Sequence, residues 1–205
     1  MNLKLLATLV VVALSIGLNA NASVSASSGL DELDPYDPNI ESILSDIDQD
    51  YMEQTGISPF LEQDYLQFVS TGCRRDTCKV WALVDRSTQT LTLYVDGNQQ
   101  ATWKVSTGTP GRDTPNFDKH PDGRIYDRYT STKFPGGDYK NLGNMPYAVF
   151  ISGGFAIHGT GTGNWSKLGR RASHGCIRLH PDNGYAFNRL VRQAGISNVW
   201  ITVKE

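Results

Sequence analysis

The chain has 205 residues, 39% of them hydrophobic, with 4 Trp, 9 Tyr and 7 Phe. That suits one domain of about 130–150 residues plus accessory segments, and excludes both a disordered chain and a string of large domains. The formal net charge of −2 hides a division: eleven acidic residues and no Lys or Arg lie between Ser27 and Ser70, whereas Thr71 to Glu205 holds ten acidic and eighteen basic residues.

The first segment, "MNLKLLATLVVVALSIGLNANAS", reads as a cleavable export signal. Lys4 supplies the positive end, Leu5 to Leu18 the apolar stretch, and Ala20-Asn21-Ala22 the small-residue cleavage pattern. The stretch is too short for a good membrane span. No cysteine follows it, which argues against lipid anchoring. Residues 1–22 are therefore expected to be removed, leaving a periplasmic protein with no stable membrane insertion. Export also argues against nucleic acid as the anionic ligand of the basic domain, and favours a cell-wall polymer.

Residues 23–70 form the acidic segment. "SVSASSGL" reads as a flexible linker. Ile40, Ile43, Leu44, Ile47 and Tyr51 then recur at helical spacing after Asp37-Pro38, and "SPFLEQDYLQFVS" offers a second short helix. An apolar stripe needs cover, so this segment is expected to dock on the basic domain. Two places suit it: the back of a sheet, where it only stabilises, or the site mouth near Arg170, Arg171 and Arg178, where it competes with an anionic ligand. The stripe favours the stabilising role.

From residue 71 to 205 the pattern is that of a catalytic-sized domain, mainly β with one or two helices, a sandwich or barrel. Cys73 and Cys78, with four residues between them, can close a small disulfide loop in an oxidising compartment. "KVWALVD" and "TLTLYVD" read as strands, "DGNQQ" as the link to "ATWKVST", and "YAVFISGGFAIHG" as two strands around a Gly-Gly turn. Between them lies a loop rich in Gly, Pro, Asp and Asn, too long to be idle. "HPDNGYAFNRLVRQAG" reads as a helix with Asp182 near its start and Gly195 past its end, and "NVWITV" as a closing strand.

One cluster stands out. "RRASHGCIRLH", residues 170–180, gathers two of the four histidines and the one cysteine left over from the Cys73–Cys78 pair. A metal site, a redox centre and a nucleophile pocket all use such residues. Zinc could be held by His158, His174, Cys176 and His180, but structural zinc spacing pairs ligands closely at each end and His158 stands alone. A free thiol kept in an oxidising space is a functional suspect. His158 and His174 are its candidate bases, and amides around His174, Gly175 and Cys176 its candidate oxyanion donors. His120 and His180 read as surface or capping residues. A papain-like order needs the cysteine ahead of its histidine, which is not the order here.

His158, fourteen residues, then Ser173-His174-Gly175-Cys176 resembles the signature of the L,D-transpeptidase family with its YkuD-type catalytic domain. "VDRSTQTLTLYVDG", "VSTGTPGRDTP" and "MPYAVFISGGFAIHG" are similar to the segments that precede it in that family, so the resemblance covers about residues 79–204. It implies a YkuD-like fold, Cys176 as nucleophile, His158 as base, the Gly159 carbonyl orienting the His158 ring, and Ser173, His174 and Gly175 shaping the pocket. Tyr147 and Arg178 are expected to bind substrate. Arg178 departs from the asparagine of the best-known pattern; it suits a substrate carboxylate or a structural ion pair. The implied partner is the peptidoglycan stem peptide, with an outer-membrane lipoprotein as a further acceptor the family admits. No cofactor or metal is implied. The acceptor stays open between a second stem, a free D-amino acid, water and a lipoprotein lysine, and a non-catalytic cell-wall binding module is the reading from another class.

Overall fold

Alternating burial builds the first sheet. In β1 (Val80–Asp85) Val80, Ala82 and Val84 point inward, and in β2 (Thr90–Val95) Leu91 and Leu93 do. These are the period-2 positions of a half-buried strand. β3 (Asn98–Lys104) follows after only two residues, Asp96 and Gly97, both at positive φ. Val95 faces Asn98 across this turn. A two-residue turn of that conformation matches strand twist, so β3 begins three residues ahead of the expected "ATWKVST" and takes in Asn98, Gln99 and Gln100.

The computed structural model describes residues 33–60, 72–129 and 138–205. The export signal, the linker 23–30 and most of the second expected helix lie outside the described residues. The fold is mostly β. The C-terminal strand β8 (Val199–Lys204) runs parallel to β1, and β4 (Phe117–Lys119), from the long loop, pairs antiparallel with β8. The five-stranded order is β3-β2-β1-β8-β4. A second sheet has the order β5-β6-β7, with β5 Val149–Ser152, β6 Phe155–Gly159 and β7 Ile177–Leu179.

Helix α2 (Pro181–Ala194) starts where the sequence places it. The His180 side chain accepts from the Asp182 amide, Pro181 takes the first turn, and Gly195 ends it at φ 78°. His180 is thus a cap. Phe187 and Val191 of α2 join Val80, Leu91, Ile151, Ile157, Ile177 and Ile201 in the main core between the sheets.

The small sheet is covered on its other face too. Helix α1 (Ile40–Thr55) buries Ile43, Leu44, Ile47 and Tyr51, and ends at Gly56 in the left-handed region. With Leu33 they pack on Tyr126, Tyr129, Met145, Phe150, Ala156 and Cys176. Burying an aliphatic side chain of this size is worth about 1.5–3 kcal/mol, so the acidic segment is held chiefly by its apolar stripe. Strands buried on both faces read as continuous apolar runs, which is how "VFIS" and "FAIHG" look.

At the far edge, Cys73 and Cys78 form a disulfide. Asp118 of β4 clips this loop down, accepting from Arg74 and Arg75 and from Trp200 Nε1 at 2.8 Å and Thr202 Oγ1 at 3.0 Å on β8.

Candidate active site

β6 and β7 run side by side in parallel, with His158 opposite Arg178 and Ile157 opposite Ile177. Ile157 and Ile177 enter the main core. Alternation then sends His158, Arg178 and the preceding Cys176 to the opposite face of the small sheet, where Cys176 joins the cluster under α1. Eighteen residues apart in the chain, His158 and Cys176 share one face because parallel pairing aligns their strands.

His158 is fully buried, and its Nδ1 lies 2.7 Å from the carbonyl oxygen of Gly159. A carbonyl only accepts, so Nδ1 carries the proton and Nε2 holds the lone pair of the neutral ring. This is the contact that the resemblance implies for Gly159. The contact fixes the orientation of the ring and leaves Nε2 as its acceptor nitrogen.

The Cys176 thiol is 1% exposed and donates to the Gly154 carbonyl at 3.3 Å. The turn that delivers it is braced from several sides. Ser173 Oγ donates to the Cys176 carbonyl at 2.6 Å and accepts from the Gly175 amide at 3.1 Å. Gly175 adopts φ 129°, a conformation that side chains rarely take. Its carbonyl accepts from Thr114 Oγ1 at 2.6 Å, and Thr114 Oγ1 also accepts from the Gly108 amide at 2.9 Å. Beyond that, Thr107 O takes the amides of Ala172 and Ser173, while Ser106 exchanges two backbone bonds with Arg178. The stretch "VSTGTPGRDTP" is thus a splint along the turn that carries Cys176.

Other expected site residues find less direct places. Arg178 is buried and spends Nη1 on the Ala172 carbonyl at 2.6 Å, so it braces the turn. Because the Gly175 amide is directed at Ser173, it can meet an oxyanion only by exchanging that partner. His174 is half-buried. Tyr147, half-buried at φ 60°, stacks edge-on against Tyr185 at 5.1 Å, one residue past Pro146, whose carbonyl takes the Gly159 amide at 2.8 Å. His120 lies elsewhere, its Nδ1 2.6 Å from Val199 O in the larger sheet. It approaches Cys73 and Cys78 closely enough to suggest a metal cluster, but both sulfurs are bonded to each other. Residue reading alone missed Thr114 and Gly154; Thr114 stood inside the quoted threonine- and glycine-rich stretch.

The acidic segment lies across this face. Modest cation partners fix it: Asp34 pairs with Arg112, and Asp48 with Arg124 at 3.1 Å and with the Tyr126 hydroxyl. These are not the expected Arg170 and Arg178; Arg171 pairs with Asp113 instead, and its hydrogen bond holds that carboxyl below the usual range.

The family model of the YkuD L,D-transpeptidase catalytic domain matches residues 79–199. No curated protein matches the chain. Among solved structures, an L,D-transpeptidase from Mycobacterium smegmatis is similar with a TM-score of 0.51 and 23% identity, over 62% of this chain and 59% of that one. L,D-transpeptidase 3 from Mycobacterium tuberculosis gives 0.51 and 20% identity, over 62% of each chain. An L,D-transpeptidase from Stackebrandtia nassauensis covers 87% of this chain and 93% of that one at 18% identity, with a TM-score of 0.49. This chain spans about three fifths of the length of the first two, and at such identities the likeness is one of fold. The family match, by contrast, spans more than half of the sequence and both halves of the site, so the chain belongs to the YkuD family of L,D-transpeptidase catalytic domains.

Proposed function

We propose that this chain is a periplasmic peptidoglycan L,D-transpeptidase that works through a Cys176 thioester. The observation that carries the reading is the contact of His158 Nδ1 with the Gly159 carbonyl oxygen. With Nδ1–H tied to Gly159 O, Nε2 is the nitrogen able to take the thiol proton, on the same sheet face as Cys176. The Cys176 sulfur then attacks the carbonyl of the third residue of a tetrapeptide stem. The carbon–nitrogen bond to the terminal D-alanine breaks, and that amine leaves with the proton that His158 held. An incoming amine gives a proton to His158, attacks the thioester and releases the sulfur. Ser173, Thr114 and Arg178 keep the turn rigid through both steps. Arg112 and Arg124 supply positive charge for an anionic stem. The Cys73–Cys78 bridge is compatible with an exported location.

The test is incubation with disaccharide tetrapeptide followed by mass analysis. The expected products have lost one D-alanine per acyl transfer and include dimers joined 3→3. Tripeptide alone would mean that water is the acceptor, and D-amino acid replacement would mean exchange. A lipoprotein lysine is tested by adding a lysine-terminated acceptor peptide. No loss of D-alanine under any of these conditions would refute the reading.

A further inference from the structure

The chain immediately before α1 runs over the two glycines that flank the thiol. A side-chain carbon on Gly175 would meet Pro35 Cγ at 2.7 Å and Tyr36 at 3.4 Å. One on Gly154, whose carbonyl holds the thiol, would meet Pro35 Cα, Ile40 Cγ1 and Ile40 Cδ1, each at 2.7 Å. The three nearest atoms to that missing carbon all belong to the acidic segment. Tyr36 packs edge-on against Phe155 at 5.3 Å and donates to the Asp113 carbonyl, and Asp34 pairs with Arg112. Downstream, Leu44, Ile47 and Tyr51 close the same face. A substrate carbonyl must come within bonding distance of the sulfur, and here the Cys176 residue is 1% exposed.

We propose that residues 33–57 are an intramolecular inhibitor: a strap that shields Cys176 and must lift before an acyl donor can reach it. The strap is acidic and pairs with Arg112 and Arg124 of the domain beneath it, so the ligand suited to displace it is an anionic peptide. A ligand carboxylate reaching Arg112 would have to replace Asp34. The shielding of Cys176 stands on geometry alone; that it inhibits rests on the reading of Cys176 as nucleophile. The contacts also say how the strap can open. It is joined to the domain by side-chain packing and ion pairs, and apart from the Phe60–Arg124 bridge beyond α1 no strand pairing ties it down among the described residues.

The test uses the whole exported chain and reads alkylation of Cys176 by iodoacetamide under native conditions, which needs no turnover. In the wild type alkylation should be at least tenfold slower than in unfolded protein. Gly154→Ala should accelerate it at least tenfold, because the three atoms nearest the added methyl all belong to the strap. Asp34→Ala combined with Tyr36→Ala should do the same. Hydrogen exchange across α2 and β8 should stay as in the wild type, which separates strap release from unfolding. If the variants fail to fold, the wild type still decides: once Cys176 is acylated by a carbapenem or alkylated, amides of 40–55 should exchange at least tenfold faster. Wild-type alkylation as fast as in unfolded protein, or unchanged exchange of 40–55 after full modification, would overturn the strap. Fast alkylation in the variants without D-alanine release from tetrapeptide would keep the strap and overturn the transpeptidase reading.

Discussion

At the scale of single residues, the proposed chemistry assigns the reaction to Cys176 and His158 and leaves the neighbouring groups to hold them. Cys176→Ala should abolish D-alanine release and covalent labelling by a carbapenem while the melting temperature barely changes, since one small buried group replaces another. His158→Ala should lower the rate by about 10² to 10⁴, the usual worth of a positioned base, measured as kcat/KM on tetrapeptide. Thr114 carries no step of the proposed chemistry, yet its hydroxyl joins Gly108 N to Gly175 O inside the protein. Thr114→Val keeps the shape and strands both backbone groups. It should cost roughly 1–3 kcal/mol of stability and lower kcat more than it raises KM, because the turn presenting the sulfur loosens. Thr114→Ser should recover most of both losses; equal defects in the two variants would place the effect in packing.

At the scale of elements, the clip between β4, β8 and the disulfide loop makes a pH prediction. Arg75, with Arg74, Trp200 and Thr202, holds the Asp118 carboxyl well below the usual carboxylate range. A depressed folded-state pKa contributes stability that is complete above the unfolded value, near pH 3.9, and is lost as pH falls through the folded one. Unfolding followed from pH 7 down to pH 2 should therefore show a steeper loss of stability below about pH 4 in the wild type than in Asp118→Asn. Above that range the variant should be the less stable of the two. The group is partly exposed, so the difference belongs to this one clip and should leave the alkylation rate of Cys176 unchanged.

At the scale of the whole molecule, an acidic segment lies on a basic domain, but charge is the lesser part of the hold. The Asp34–Arg112 pair is partly exposed, and such pairs are commonly worth about 0–1 kcal/mol. Leu44, by contrast, is fully buried between α1 and the small sheet. Raising salt to 1 M, where the Debye length is about 3 Å, should change protection of the α1 amides by less than about 1 kcal/mol. Leu44→Ala should cost about 2–5 kcal/mol of docking and expose Cys176. Hydrogen exchange of residues 40–55 reads both, and a salt effect larger than that of Leu44→Ala would show that charge dominates.

The sequence by itself determined the parts whose causes are local. Alternation marks β1 and β2, the Asp96-Gly97 turn marks their hairpin partner, and Asp182 and Gly195 bracket α2. The stripe from Ile40 to Tyr51 marks α1 together with the face it buries. Motif spacing likewise singled out His158, Gly159, Ser173 and Cys176. What the chain could not reveal is where surfaces far apart in sequence meet. That Arg178 turns inward to Ala172, that Thr114 splints Gly175, and that Pro35 and Tyr36 cross the glycines beside the thiol all depend on contacts between residues from six to about 140 positions apart. Spacing along the chain records which face of a helix is apolar; only the packed structure decides which apolar face it meets, and here that face carries the cysteine.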